Sequence, residues 1–199
     1  MPTLMSPPRR GQRTESVPAR KRWTRAECEM LERAGFLPQR YELIAGEIYD
    51  KMTVNPPHSI TLMILAIWLE QVFGRPFVRT QDPIHLPHEE SKPEPDVIVM
   101  REPVTIYHQQ HPSPTDLLLV AEVSDSTLAF DLKEKAALYA RAGIAEYWVA
   151  DVVGRRFLVH RQPTSRGYQE ITIYTENETL SPLARPESSV CVADLLPSI

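Results

Sequence analysis

Residues 117–123 read Leu-Leu-Leu-Val-Ala-Glu-Val, aliphatic at every position but one. A run of this kind is what a central strand shows when both of its faces are covered. Such a strand needs a sheet with packed layers on either side, which restricts the chain to a layered architecture. The one polar member, Glu122, is the anomaly. A carboxylate taken out of water is costly unless it is paired or bound to a metal.

The flanking sequence supplies the layers. Residues 24–34 predict a short helix, with Thr24 and Glu27 forming a capping box and Gly35 placed to end it. Residues 41–49 predict a β-hairpin turning at Ala45-Gly46. Asn55-Pro-Pro breaks the chain, and residues 59–73 are apolar almost all round, which predicts a central, buried helix with His58 at its start. Strands are expected at 77–86, at 95–100 behind Pro95, at 117–123 and at 146–152. A helix at 131–142 is closed by Gly143, and residues 156–161 and 168–174 read as a peripheral meander. The expected fold is an α/β sandwich: a central mixed sheet flanked by helices, with an N-terminal β-hairpin and a C-terminal β meander.

Charge bears on partners. Residues 1–25 hold seven basic side chains and one acid, a balance of +6, whereas residues 26–199 carry −10. Residues 1–22, rich in Pro, Arg and Ser, are expected to be a disordered basic tail, and residues 23–199 a single domain. The tail serves either as a weak, salt-sensitive contact to nucleic acid or simply as a solubilising leader. The acidic body does not suit a broad DNA-coating surface, so DNA would bind in a local groove, with metal ions offsetting the acids at its floor. No apolar core follows the basic start, and the longest apolar run, residues 62–69, is far short of the ~20 residues of a membrane span. Cys28 and Cys191 have no CxxC or zinc spacing and read as ordinary thiols, so a cytoplasmic protein is expected. The chain has no P-loop, G-x-G-x-x-G or G-x-S-x-G. His85 with His88, and His108 with His111, have spacings open to zinc but lack cysteine partners. Tyr147 and Trp148 read as packing groups rather than base-stacking ones.

Asp96 opens one predicted strand and Glu122 lies near the end of another. Two neighbouring strands presenting carboxylates at one edge would make a hard, oxygen-rich site suited to Mg²⁺ or Mn²⁺. Asp131 and Lys135 are four residues apart and share a helix face, which Tyr139 continues. From there Lys135 could hold a phosphate or orient a hydrolytic water. Taken singly, each has an ordinary alternative. Glu122 would form a salt bridge at the sheet edge, Asp96 would be a turn residue after proline, and Asp131 and Lys135 would be a surface pair worth ~0.3 kcal/mol.

Pro95-Asp96, then Glu122-Val-Ser, then Asp131-Leu-Lys-Glu-Lys135, then Tyr139-Ala-Arg-Ala-Gly-Ile-Ala-Glu-Tyr-Trp148 resembles the Uma-two family of restriction-endonuclease-like proteins in the PD-(D/E)XK superfamily. Tyr41-Glu-Leu-Ile-Ala-Gly-Glu47 and His58 resemble the front half of the same family, and the likeness spans residues 24–160. It implies a restriction-endonuclease-like sandwich and a homodimeric endonuclease that hydrolyses phosphodiesters, with DNA the expected substrate, by Mg²⁺-activated water. It also implies that Asp96 and Glu122 are metal ligands. The motif lysine normally sits two residues after the glutamate, where this chain has Ser124, and the resemblance implies that Lys135 replaces it. Lys133, the rival, faces elsewhere on the helix. Glu42 matches a glutamate that completes the metal site; Glu47 and His58 match positions without an assigned role, and His58 could equally cap its helix. The missing E-x-K leaves open an inactive nuclease-fold module that binds nucleic acid or a protein, and the acidic body leaves open a homodimeric interaction protein with no nucleic-acid role.

Overall fold

The structure is a computed structural model and describes residues 19–38, 40–51, 55–87 and 89–198. Helix α1 (Arg25–Arg33) leads into a hairpin of β1 (Tyr41–Ile44) and β2 (Glu47–Asp50). Helix α2 (Pro56–Phe73) follows, then β3 (Val78–Thr80), β4 (Val97–Met100) and β5 (Leu117–Ser124). A continuous helical stretch, α3 (residues 128–141), joins β5 to β6 (Glu146–Asp151), and β7 (Arg156–Thr164) and β8 (Gly167–Thr175) come after. The sheet runs β3-β4-β5-β6-β7-β8, parallel only between β5 and β6. The parallel pair is the one bridged by a helix, because a parallel return needs a long crossover.

The aliphatic run is the middle of this sheet. Leu119, Ala121 and Val123 of β5 pack on one side with Leu65 and Leu69 of α2, Trp148 and Phe157. Val120 points to the other side, where Leu138 and Tyr139 of α3, Tyr147 and Ile98 form a second core. Tyr147 and Trp148 are fully buried packing groups. The alternation of β5 therefore sends Glu122, two residues after Val120, to the α3 side.

The capping box of α1 forms as expected, with Thr24 and Glu27 bonded reciprocally. Ala45 and Gly46 both take positive φ, 49° and 79°, as a two-residue hairpin turn requires. Several expectations are corrected. The Asn55-Pro-Pro break is the start of α2, since proline is tolerated in a first turn and Asn55 accepts the His58 N–H. Helix α2 is an outer layer rather than a central one. One face covers the sheet, and Ile60, Met63 and Ile67 on the other are exposed. The strand expected at 77–86 shrinks to three residues because Gln81 turns the chain at φ 51° and Pro83 cannot join a ladder. The peripheral meander forms as expected, as β7 and β8 at one end of the sheet. Residues 1–18 of the expected tail lie outside the described residues, whereas Lys21 pairs with Glu27 at 2.6 Å and Arg22 bonds the Ala45 carbonyl. No described helix is long and apolar enough to cross a membrane.

Candidate active site

Strands β4 and β5 pair Val97 with Ala121, and continuing that register sets Asp96 beside Glu122 at one edge of the sheet. Asp96 is held twice. Its Oδ2 accepts the Val123 N–H at 2.9 Å, and its Oδ1 lies 3.3 Å from Nε2 of His58, in the first turn of α2. Asn55, the cap of that turn, donates to Asp125 and so ties α2 to the loop after β5. Glu122 is 3% exposed, and its Oε1 accepts from Lys135 Nζ at 2.9 Å and from the Tyr139 hydroxyl at 2.8 Å. Glu42 enters from β1, with Oε2 3.1 Å from Lys135 Nζ and Oε1 accepting the Glu94 N–H at 2.8 Å. Asp131 Oδ1 lies 3.9 Å from the same ammonium. These heads line a cleft of about 230 Å³.

Lys135 reaches this cluster because α3 is not regular. Leu128–Phe130 is α-helical, Asp131–Lys135 forms a π turn, and Ala136–Arg141 is α-helical again. Such turns insert one extra residue and are frequent at functional sites. Both ends of this one, Asp131 and Lys135, are buried. Asp131 is clamped by Ser124 Oγ and Thr127 Oγ1, each donating to its Oδ2 at 2.6 Å. Ser124, at the position two residues after Glu122, thus secures Asp131, the residue four before Lys135. Lys133 points to solvent, its side chain 83% exposed and beside Glu134, so the rival lysine is outside the cluster.

Four carboxylates surround a single ammonium. Glu122 is raised to about 8: burial pushes it up, Lys135 pulls it down, and Asp96, Asp131 and Glu42 push it up again. Burial also raises Asp131. Lys135 would be lowered by burial, but Glu122, Glu42 and Asp131 outweigh this and hold it firmly protonated. For Asp96, burial raises the carboxyl, yet His58 and the Val123 N–H prevail and its pKa is lowered. For His58, burial lowers the ring and the contact with Asp96 more than reverses it. The site carries more negative charge than its own cation offsets.

That excess, on oxygen donors alone, fits a hard divalent cation. Among the described residues no three His, Cys, Asp or Glu heads already converge as a metal-holding group. Mg²⁺ does not require three. It is commonly held by one or two carboxylates, water and substrate phosphate. Both bonds described for Glu122 fall on Oε1, leaving Oε2 for such a role.

The structure brings together Asp96, Glu122, Lys135, Glu42, Asp131 and His58, and leaves out Glu47, which bonds the Tyr49 hydroxyl at 2.8 Å on β2. His108 bonds the Thr105 carbonyl, His85 bonds Arg25, and His88 lies outside the described residues. Sequence reasoning missed the Ser124–Thr127 clamp and the Glu94 N–H on Glu42. Spacing puts Tyr139, four residues after Lys135, on the lysine's face but gives no sign of its bond to Glu122.

A mixed sheet with helices on both faces, and with acids from adjoining strands gathered around a lysine, defines a restriction-endonuclease-like fold. The chain belongs to the Uma2 (Uma-two) family, described as putative restriction endonuclease, which matches residues 29–193. It is also similar in fold to the crystal structure of a putative nuclease belonging to DUF820 from Anabaena variabilis ATCC 29413, with a TM-score of 0.61 and 15% identity over 83% of this chain and 96% of that one. No curated protein matches the chain.

Proposed function

We propose that this protein is a Mg²⁺- or Mn²⁺-dependent endonuclease that hydrolyses phosphodiester bonds in DNA. The observation that carries the reading is Lys135 Nζ, seated 2.9 Å from Glu122 and 3.1 Å from Glu42 although it comes from a helix and not from the strand. Asp96 and Glu122 would hold the ion, with Glu42 beside them. When bound, a divalent cation lowers the pKa of its water and polarises the scissile phosphate.

The chain's own groups do the rest. The Val123 N–H and His58 orient Asp96, and Tyr139 orients Glu122. The Lys135 ammonium, kept protonated by its acids, is placed to donate to a phosphate oxygen as charge builds there. No side chain needs to become covalently attached.

Supercoiled plasmid incubated with Mg²⁺ or Mn²⁺ should be nicked or linearised, and Asp96→Ala should stop this. Equal cutting by the variant would remove the reading. Ser124, standing where the E-x-K lysine would be, favours a second reading, an inactive module of the same fold. Calorimetry decides between them: DNA binding with no uptake of divalent ion would support the module.

A further inference from the structure

We propose that Arg40 anchors a backbone phosphate of the bound nucleic acid at the mouth of the cleft. This rests on the nuclease reading above and goes beyond it, since neither the acids nor Lys135 explain how a polyanion is admitted. The cleft is lined by seven acidic side chains against three lysines or arginines, Arg40, Lys51 and Lys135, and by His58, which is engaged with Asp96. Two of those cations are engaged. Lys51 lies 2.9 Å from Glu94, and Lys135 is enclosed by Glu122 and Glu42. Arg40 alone makes no hydrogen bond or ion pair through its side chain with any described residue, and it is exposed.

Its position is fixed by the hairpin. The Arg40 carbonyl accepts the Lys51 N–H at 3.1 Å, which extends the β1–β2 ladder by one step. Side chains alternate along a strand, so Arg40 shares the face of Glu42, while Tyr41 and Leu43 turn away into the small core under α1. Two residues of strand separate Arg40 from Glu42 by about 7 Å, roughly the axial rise of two nucleotides in one strand of DNA. A guanidinium there offers a planar fork of donors that matches a phosphate.

The test follows the binding of a fluorescently labelled DNA duplex, and of an RNA duplex of the same sequence, by anisotropy over a range of KCl. Ca²⁺ replaces Mg²⁺ to slow cutting. Arg40→Ala should raise Kd roughly 10-fold and lessen the slope of log K against log[salt] by about 0.9, the value for one lost phosphate contact. Arg40→Lys should keep the slope with a smaller loss of affinity. In cleavage assays KM should rise while kcat stays. The duplex on which the slope changes identifies the backbone that Arg40 meets. Unchanged slope and KM in Arg40→Ala, or no binding of either duplex by the wild type, would overturn the proposal. A wild type that binds through Arg40 but never cuts would leave the anchor standing and sink the nuclease reading alone.

Discussion

Lys135→Met removes the ammonium that lies 2.9 Å from Glu122, 3.1 Å from Glu42 and 3.9 Å from Asp131. Methionine nearly conserves the volume, so the change isolates charge from packing. Removing one partner of a buried pair costs about 3–5 kcal/mol, because the remaining carboxylates are stranded. In a chain of this size each kcal/mol moves Tm by about 2–4 °C, so the variant should melt roughly 6–20 °C below the wild type at alkaline pH. The pH dependence has a definite sign. Glu122 is already raised from 4.5 to about 8, so between those values the folded chain holds a proton that the unfolded chain has lost. Stability contributed by that proton is present at the acid end and is lost as pH rises. Without Lys135 the stranded acids rise further, and the deficit should shrink as pH falls and they protonate. Thermal melts followed by circular dichroism at about pH 8 and about pH 5, with EDTA present, would measure it. A variant that melts with the wild type at both values would refute the buried ion cluster.

Two other substitutions separate roles within the site. Tyr139→Phe removes one of two donors to Glu122 Oε1, and should cost about 1–3 kcal/mol of stability; Mn²⁺ affinity measured by calorimetry should fall about 10–100-fold. An unchanged affinity would show that Tyr139 does not orient the acid. Lys133→Ala should leave plasmid cutting intact and stability within about 0.5 kcal/mol, because the side chain is exposed. Loss of cutting would mean that the wrong lysine has been chosen.

The centre of the fold was legible because β5 is a run that only a doubly covered strand tolerates, and Glu122 was legible because it interrupts that run. The hairpin and α1 were readable from turn and cap residues acting locally. What escaped depended on partners. The apolar periphery of α2 shows which residues avoid water but not how many layers cover them, so an outer helix read as a central one. The strand after Phe77 looked long because nothing in Gln81 itself announces a left-handed turn. Lys135 could be placed on the face of Asp131 by spacing, and family resemblance supplied its role. The hydroxyl clamp on Asp131 could not be read, because a π turn leaves no periodic mark in one sequence. The Glu94 N–H on Glu42 joins residues 52 positions apart, and only the folded hairpin brings them together.

Ser124 is fully buried and its hydroxyl is committed to Asp131. A lysine introduced at that strand position would meet the ammonium of Lys135, and it would cut Asp131 loose from one of its two clamps. Losing Lys135 first would strand the acids instead. Either order passes through a form with two ammonium groups crowded together or with none. Moving the ammonium between helix and strand is therefore opposed by sterics and charge, whatever selection acts on the reaction itself.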